Sequence, residues 1–202
     1  MPAIKHRVNP EAGWANTKKL KRGPNGRVLC RFCGTEVPKG RRTFCSDGCV
    51  HEWRIRSDPG YVRGRLWERD KGVCAICGTD TIEQIKAIEA EFGQESQWGG
   101  DRWSGYRGAD SRVRDALRTR LDELSIPQSR WYSRRSHWGI WDADHTKPVV
   151  EGGGLCGLDG FRTLCCKCHR KESRRLQRRL KEQRWREQDK PVPYRLFGDD
   201  DE

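Results

Sequence analysis

The chain has 202 residues, a formal net charge of +12 and a pI near 9.5. Its hydrophobic content of 34% and mean hydropathy of −0.99 exclude a protein held together by a large apolar core alone, and no stretch approaches a membrane span. The basic balance favours a polyanionic partner, and because MPAIKHRVNP contains no apolar secretion signal we expect a cytoplasmic, nucleoid or nuclear protein.

Cysteines are expected to supply the stabilisation that the apolar core lacks. Eight of the ten form four close pairs, which are Cys30/Cys33, Cys45/Cys49, Cys74/Cys77 and Cys165/Cys168. In a reducing compartment such pairs predict zinc ligands rather than disulfides. We therefore expect about two structural zinc ions, each contributing on the order of 10 kcal/mol to folding.

The first 56 residues contain a basic arm and a zinc finger. Residues 1–27 are rich in Gly, Pro and Asn and predict a flexible arm. Residues 28–56 contain a Cys-x2-Cys-x11-Cys-x3-Cys pattern, which suits four thiolates around a tetrahedral zinc. His51 is an alternative fourth ligand, and Arg41 and Arg42 either contact DNA or belong to a solvated turn.

A short helix is predicted to connect the finger to a second knuckle. Residues 57–73 have a Ser-Asp-Pro start, which is typical of a helix N-terminus. The knuckle is Cys74 with Cys77, and its expected partner is the pair Cys165 and Cys168, nearly ninety residues further on. Closing this long loop costs only on the order of a few kcal/mol, because the cost grows with the logarithm of loop length. One zinc ion would offset that cost.

An insertion, residues 79–136, separates the two halves of this second cysteine site. The segment from Thr81 to Phe92 has apolar residues at helical spacing with Thr81 as the cap, and residues 110–124 predict a second helix. Arginines and aromatic residues alternate at 129–137. They either stack on bases or pack against the helices.

Residues 138–180 contain a strand–loop–strand–helix pattern. A strand is predicted over 140–150, in which the neighbours Asp144 and His145 point to opposite faces. A glycine-rich loop leads to a return strand at 161–164. The Cys165/Cys168 knuckle follows, and His169 is expected to open a helix.

A basic helix is predicted over residues 169–190. Residues 167–190 hold eleven Lys/Arg against four acidic residues, which is +7 of the net +12. Such a run is usually a solvated face, but its position directly after His169 favours contact with a DNA backbone. The candidate DNA contacts are Arg170, Arg174, Arg175, Arg178 and Arg179. Residues 191–202 form an acidic tail with no assigned chemistry.

The stretch WDADHTKPVVEGGGLCGLDGFRTLCCKCH resembles the HNH, or ββα-metal, nucleases. The resemblance implies a small zinc-stabilised α+β fold, in which an N-terminal four-cysteine zinc finger precedes an HNH domain at 74–190 with a helical insertion. It also implies that Asp144 and His169 hold one divalent cation (Mg²⁺, Mn²⁺, Ni²⁺ or Zn²⁺), while His145 activates water. One departure is that the family's middle Asn aligns with Gly160.

This resemblance implies a metal-dependent endonuclease that hydrolyses DNA phosphodiester bonds. Asp159, beside Gly160, is a candidate substitute for the missing Asn. We expect DNA as the partner, no membrane and no small-molecule cofactor, and the oligomeric state is left open. The alternative, which the change at Gly160 leaves open, is a zinc-dependent nucleic-acid-binding module that has kept the fold and lost the chemistry.

Overall fold

The computed structural model describes residues 15–92, 111–132 and 139–188, which form a small α+β fold as predicted. The helices are α1 (Asp47–Ile55), α2 (Pro59–Asp70), α3 (Thr81–Phe92), α4 (Ser111–Glu123), α5 (Gln128–Tyr132) and α6 (Cys166–Glu187), and three 3-10 turns lie at Thr17–Lys19, Val149–Glu151 and Leu158–Gly160. Strands β1 (Trp141–His145) and β2 (Phe161–Cys165) pair in a two-stranded sheet. None of the helices in the described ranges is long and apolar enough to cross a membrane.

Several predicted segments lie partly or wholly outside the described residues. They are the first half of the basic arm at 1–14, the stretches 93–110 and 133–138 in and after the insertion, and the acidic tail at 191–202.

The chain divides into two compact units. The first consists of Met1–Lys71 with Ala143–Thr163, and the second of Gly72–Asp142 with Leu164–Glu202. The predicted domains divide the chain differently, because the loop between the strands groups with the first 71 residues. Those domain boundaries stay a prediction.

Helices α1 and α2 form the apolar part of the first unit, and each begins at a polar cap. Ser46 Oγ accepts a hydrogen bond from the Cys49 amide (3.1 Å), and Asp58 Oδ1 accepts one from the Tyr61 amide (3.0 Å). Pro59 opens α2, where its missing N–H is not needed. The buried side chains of the two helices are Trp53, Ile55, Val62 and Leu66. This core is small, in agreement with the low hydrophobic content.

The helices of the insertion supply most of the core of the second unit. The buried cluster consists of Ile85, Ile88, Leu117, Leu121, Ile126, Trp131, Ile140 and Cys166. Trp131 lies on α5, a helix that the sequence did not predict, and it is fully buried. The sequence left open whether the aromatic residues at 129–137 stack on bases or pack against the helices. Trp131 packs against the helices. The insertion is part of the core of its unit and not an appended segment.

Strand β1 is shorter than the prediction, because it ends at His145 and not at residue 150. Pro148 has no N–H to donate to a sheet, and its carbonyl oxygen instead accepts a hydrogen bond from the Gly153 amide (3.0 Å). This bond turns the chain into the loop. The return strand runs one residue past its predicted end, to Cys165.

Two helix starts also differ in detail from the sequence prediction. Helix α6 begins at Cys166 and not at His169, with Cys165 as its N-cap. Helix α3 begins at Thr81 as predicted, but the cap is Asp80, whose Oδ1 accepts a hydrogen bond from the Ile82 amide (2.8 Å). Thr81 is buried instead and donates its hydroxyl to a backbone carbonyl.

Candidate active site and zinc sites

Four cysteines of the first unit converge into one group. The Sγ atoms of Cys30, Cys33, Cys45 and Cys49 all lie within 4.8 Å of one another. Cys45 Sγ is 3.4 Å from that of Cys33 and 3.3 Å from that of Cys49. Tetrahedral zinc with Zn–S bonds of about 2.3 Å separates its sulfurs by about 3.8 Å. The group therefore has the size and the chemistry to hold one zinc ion.

The polar residues that the sequence placed near this group have other partners. His51 Nδ1 lies 2.8 Å from Tyr61 Oη, so Cys49 and not His51 completes the group of four. Arg41 forms an ion pair with Asp47 (2.8 Å). This contact places Arg41 against the start of α1.

Four cysteines of the second unit form an equivalent group. The Sγ atoms of Cys74, Cys77, Cys165 and Cys168 also lie within 4.8 Å of one another. The Sγ atoms of Cys77 and Cys165 are 3.7 Å apart although the residues are 88 positions apart in sequence. The long loop closure expected from the cysteine spacing is therefore present, and a zinc ion here would join the knuckle to the start of α6.

Both groups contain the same local knuckle, Cys-x-x-Cys-Gly-Thr. In each, the glycine has a positive φ and its amide donates to the carbonyl of the first cysteine at 2.9 Å. In each, the threonine hydroxyl lies near the second thiol, at 3.0 Å for Cys33 and 3.1 Å for Cys77. This hydrogen bond from Thr35 is the main cause that lowers the pKa of Cys33 to about 6. Burial raises the pKa of Cys77, but hydrogen bonds from Thr79, Cys74 and Cys168 together outweigh burial and lower that pKa to about 6.

The predicted cation ligand Asp144 is bound by an arginine from the neighbouring strand. Arg162 donates from Nε (3.0 Å) and lies 2.9 Å from the same carboxylate through Nη2, with both contacts on Asp144 Oδ2. These bonds fix the carboxylate and do not occupy Oδ1. The oxygen Oδ1 is therefore the one suited to a cation.

The predicted general base, His145, lies against an aromatic ring. The centroids of its imidazole and of Phe161 are 4.3 Å apart, with the planes tilted by 44°. This contact restricts rotation of the imidazole. His145 is half-buried on the last position of β1.

In the second unit, the predicted ligand His169 contacts a carboxylate that the sequence analysis did not single out. His169 Nδ1 lies 3.2 Å from Asp142 Oδ2, and the same oxygen accepts a hydrogen bond from Arg130 Nη1 (2.6 Å). Burial alone would raise the pKa of Asp142, but the hydrogen bonds from His169 and Arg130 hold that pKa well below its usual range. Asp142 is therefore an ionised acceptor.

Gly160, at the position of the family's middle Asn, packs tightly against Cys156. A Cβ atom built on Gly160 would lie 2.5 Å from both Cβ and Sγ of Cys156. Gly160 does not have a left-handed φ, so space and not backbone conformation requires glycine here. Its carbonyl accepts a hydrogen bond from the Thr146 amide (2.9 Å), which links the loop to the end of β1.

An arginine makes the bracing contacts around this glycine. Arg69, on α2, donates to the carbonyls of Leu158 (3.3 Å) and Phe161 (2.9 Å). Asp159, the candidate substitute for Asn, is exposed. The loop of the first unit is thus braced by α2 and by backbone hydrogen bonds.

Helix α6 presents a long basic surface. It has 22 residues, a length of roughly 33 Å at 1.5 Å per residue. Ten basic side chains against three acidic ones give it a net charge of +7. Of the five predicted DNA contacts, Arg178 is half-buried and the other four are exposed, with Arg175 paired to Glu172 (2.9 Å). At about 100° per residue the five arginines fall within one half of the helix circumference, opposite Leu176 and Leu180.

Comparison with known proteins gives related sequences but no matching protein-family profile. The chain is 29% identical over 160 residues to the Mus musculus protein named DNA annealing helicase and endonuclease ZRANB3. The matched region covers 73% of this chain and 13% of that protein. The chain is 32% identical over 135 residues to the Homo sapiens protein of the same name, covering 65% and 11%. The chain thus spans little more than a tenth of the length of these curated relatives.

A crystal structure of the human ZRANB3 HNH domain is 26% identical, covers 58% of this chain and 87% of that domain, and superposes with a TM-score of 0.37. The chain is therefore similar in sequence to an HNH, or ββα-metal, domain. In this chain the Asp-His pair and the later His lie on the strand–loop–strand–helix segment from β1 to α6. Of the residues in this segment, Asp144 and His145 lie in the first unit and His169 lies in the second.

Four residues beside the HNH motif were missed at the level of sequence: Arg69, Arg130, Asp142 and Arg162. Only Asp142 had a usable signal, since residues two apart on a strand share a face and Asp142 precedes Asp144 by two. Arg69 is about 90 positions from its partners, whereas Arg130 and Arg162 are 12 and 18 positions from theirs, and no spacing rule in the sequence pairs any of the three with its partner.

Proposed function

We propose that this chain is a metal-dependent HNH endonuclease that hydrolyses DNA phosphodiester bonds. The observation that carries the proposal is the position of Asp144 and His145 on β1 and of His169 near the start of α6, in a chain similar to an endonuclease. Asp144 and His169 are the proposed ligands of one divalent cation. Their carboxylate oxygen and imidazole nitrogen suit Mg²⁺, Mn²⁺, Ni²⁺ or Zn²⁺.

His145 is the proposed general base. Imidazole exchanges protons near neutral pH, and the ring of Phe161 supports this one in a fixed orientation. The water oxygen forms a new bond to phosphorus while His145 accepts its proton, and the bond between phosphorus and the leaving oxygen breaks. When bound, a divalent cation supplies charge neutralisation for the phosphate and the leaving oxygen.

The basic half of α6 is the proposed binding surface for the DNA backbone. Its net charge of +7 and its exposed arginines suit a row of phosphates, and they carry no base specificity by themselves. We also retain the predicted division into a four-cysteine finger at 28–56, a connecting helix at 57–73 and an HNH domain at 74–190. In that division the two cysteine groups hold structural zinc ions.

The second candidate function is a nucleic-acid-binding module without catalysis. It is favoured by Gly160 at the position of the family's Asn and by Arg162, which occupies one oxygen of the proposed ligand Asp144. Plasmid nicking by the full chain, with and without added Mg²⁺, Mn²⁺ or Ni²⁺, separates the two functions. Cleavage that requires the added metal supports the endonuclease, and binding without cleavage in any metal supports the module.

Substitutions at the motif test the individual roles. We expect His145→Ala to keep DNA and metal binding while cleavage falls by about 10² to 10⁴, because only the proton acceptor is removed. Asp144→Ala and His169→Ala should instead require more metal to recover any activity. Retention of both cysteine-bound zinc ions is the folding control. Full activity of His145→Ala, or its rescue by metal alone, would overturn the assignment of the base.

A further inference from the structure

The carboxylate of Asp142 is the meeting point of three elements in the second unit. Its Oδ2 accepts a hydrogen bond from Arg130 Nη1 on α5 (2.6 Å) and lies 3.2 Å from His169 Nδ1 on α6. Asp142 itself lies on β1, and its side chain is only 13% exposed. A carboxylate this buried is costly unless it is paired, and here both partners are cationic or polar donors.

Arg130 is held in place by contacts on both sides. Its Nη1 also lies 3.5 Å from Cys166 Sγ, and that thiol donates to the carbonyl of Ile140 (3.2 Å). The residue after it, Trp131, is fully buried in the core of the unit. The insertion therefore places the Arg130 guanidinium against Asp142, on a helix that is packed into the core of the unit through Trp131.

A carboxylate at Nδ1 determines how an imidazole can bind a metal. A neutral imidazole has one N–H, and an acceptor at Nδ1 stabilises the tautomer in which that nitrogen carries the proton. In that tautomer the lone pair lies on Nε2, which is then the ring nitrogen that can coordinate a cation. Carboxylates that orient metal-bound histidines in this way typically change metal affinity or activity by about 10- to 100-fold when removed.

We propose that Asp142, clamped by Arg130, is a positioning residue that holds His169 as the Nδ1–H tautomer and presents its Nε2 to the cation. This inference rests on the proposed function for the role of the cation. It gives the helical insertion a task in the site, since α5 supplies the clamp. It also distinguishes the two carboxylates of β1, because Asp144 is the ligand and Asp142 orients the other ligand.

The tautomer can be measured directly in the full zinc-loaded chain. Long-range ¹⁵N–¹H spectra of ¹⁵N-histidine-labelled protein distinguish Nδ1–H from Nε2–H, and the signals of His169 are identified by their loss in His169→Gln. We expect Nδ1–H in the wild type and a shift to Nε2–H in Asp142→Ala, with Mn²⁺ affinity, measured by titration without DNA, lower by about 10- to 100-fold. Asp122→Ala removes an exposed acid of the same unit and should change neither readout.

A second variant tests the inference if Asp142→Ala does not fold. If Asp142→Ala loses zinc or folded structure, the double variant Arg130→Met with Asp142→Leu removes both charges and replaces them by apolar side chains, which is often tolerated. It should show the same change of tautomer. An Nδ1–H signal that persists in a folded variant would overturn the inference and leave Asp142 as a structural ion pair. A wild type that binds DNA but does not nick plasmid with any added metal would refute the proposed function, while the tautomer comparison would still decide the role of Asp142.

Discussion

Replacing Gly160 by Asn tests why this chain departs from the family at the loop. The new Cβ would lie 2.5 Å from both Cβ and Sγ of Cys156, well inside van der Waals contact. Overpacking of this kind costs about 1 to 3 kcal/mol. For a chain of this size, that loss corresponds to a decrease in Tm of about 2 to 12 °C. We therefore expect Gly160→Asn, which restores the family residue, to destabilise this protein.

The partner of the clash supplies the matched controls. Cys156→Gly removes both crowding atoms, so in that background Gly160→Asn should no longer lower the free energy of unfolding. Cys156→Ala removes only Sγ, so in that background part of the decrease should remain. Urea unfolding followed by tryptophan fluorescence gives the four free energies of each double-mutant cycle, and the coupling should be about 1 to 3 kcal/mol with Cys156→Gly. Equal losses with and without Cys156 would refute the steric explanation.

Two further predictions concern the zinc ions and the basic helix. Elemental analysis of protein purified without chelator should find about two zinc ions per chain. Removing them with a strong chelator should unfold the protein, because the bound zinc ions supply the stability that the small apolar core lacks. Disulfides and no zinc on mass spectrometry would contradict this prediction. The double variant Arg174→Ala with Arg179→Ala should flatten the slope of log K against log salt for DNA binding by up to about 1.8, at about 0.9 for each phosphate that is no longer neutralised. Arg112→Ala with Arg118→Ala removes the same charge from α4 and should leave the slope unchanged, and an unchanged slope in both would show that α6 does not contact DNA.

Local patterns account for what the sequence predicted well. The spacing of the eight paired cysteines was sufficient to group them, because a knuckle of Cys-x-x-Cys-Gly-Thr is closed by its own backbone hydrogen bonds. The span of α3 was predicted because its apolar residues repeat at the helical period. The cap of the same helix was assigned to Thr81 and belongs to Asp80, since both residues can cap and only the tertiary contact of Thr81 decides between them.

Long-range polar contacts account for what the sequence could not predict. Arg69 and Phe161 are 92 positions apart, and Arg130 and Asp142 meet only because α5 packs into the core through Trp131. In a chain with 41 basic residues, composition gives no indication of which arginine serves a carboxylate and which faces solvent. The sequence predicted the candidate ligands and base, which stay a prediction, whereas the residues that contact them were found only in the structure.

The charges around Asp144 bear on how the proposed cation would be retained. A hydrogen bond from Arg162 Nε and an ion-pair contact from its Nη2 both end on one carboxylate oxygen of Asp144, and they partly neutralise the single negative charge that the proposed ligand pair supplies. Oxygen-preferring cations such as Mg²⁺ are usually held by one or two carboxylates together with substrate phosphates. If Asp144 and His169 are the ligands as proposed, a pair with so little negative charge would bind a free cation weakly, and phosphate oxygens of the DNA would complete the coordination. Under the proposed function, attraction of DNA by the basic helix and weak binding of the free cation would both favour an order in which metal is bound firmly only once the DNA is present.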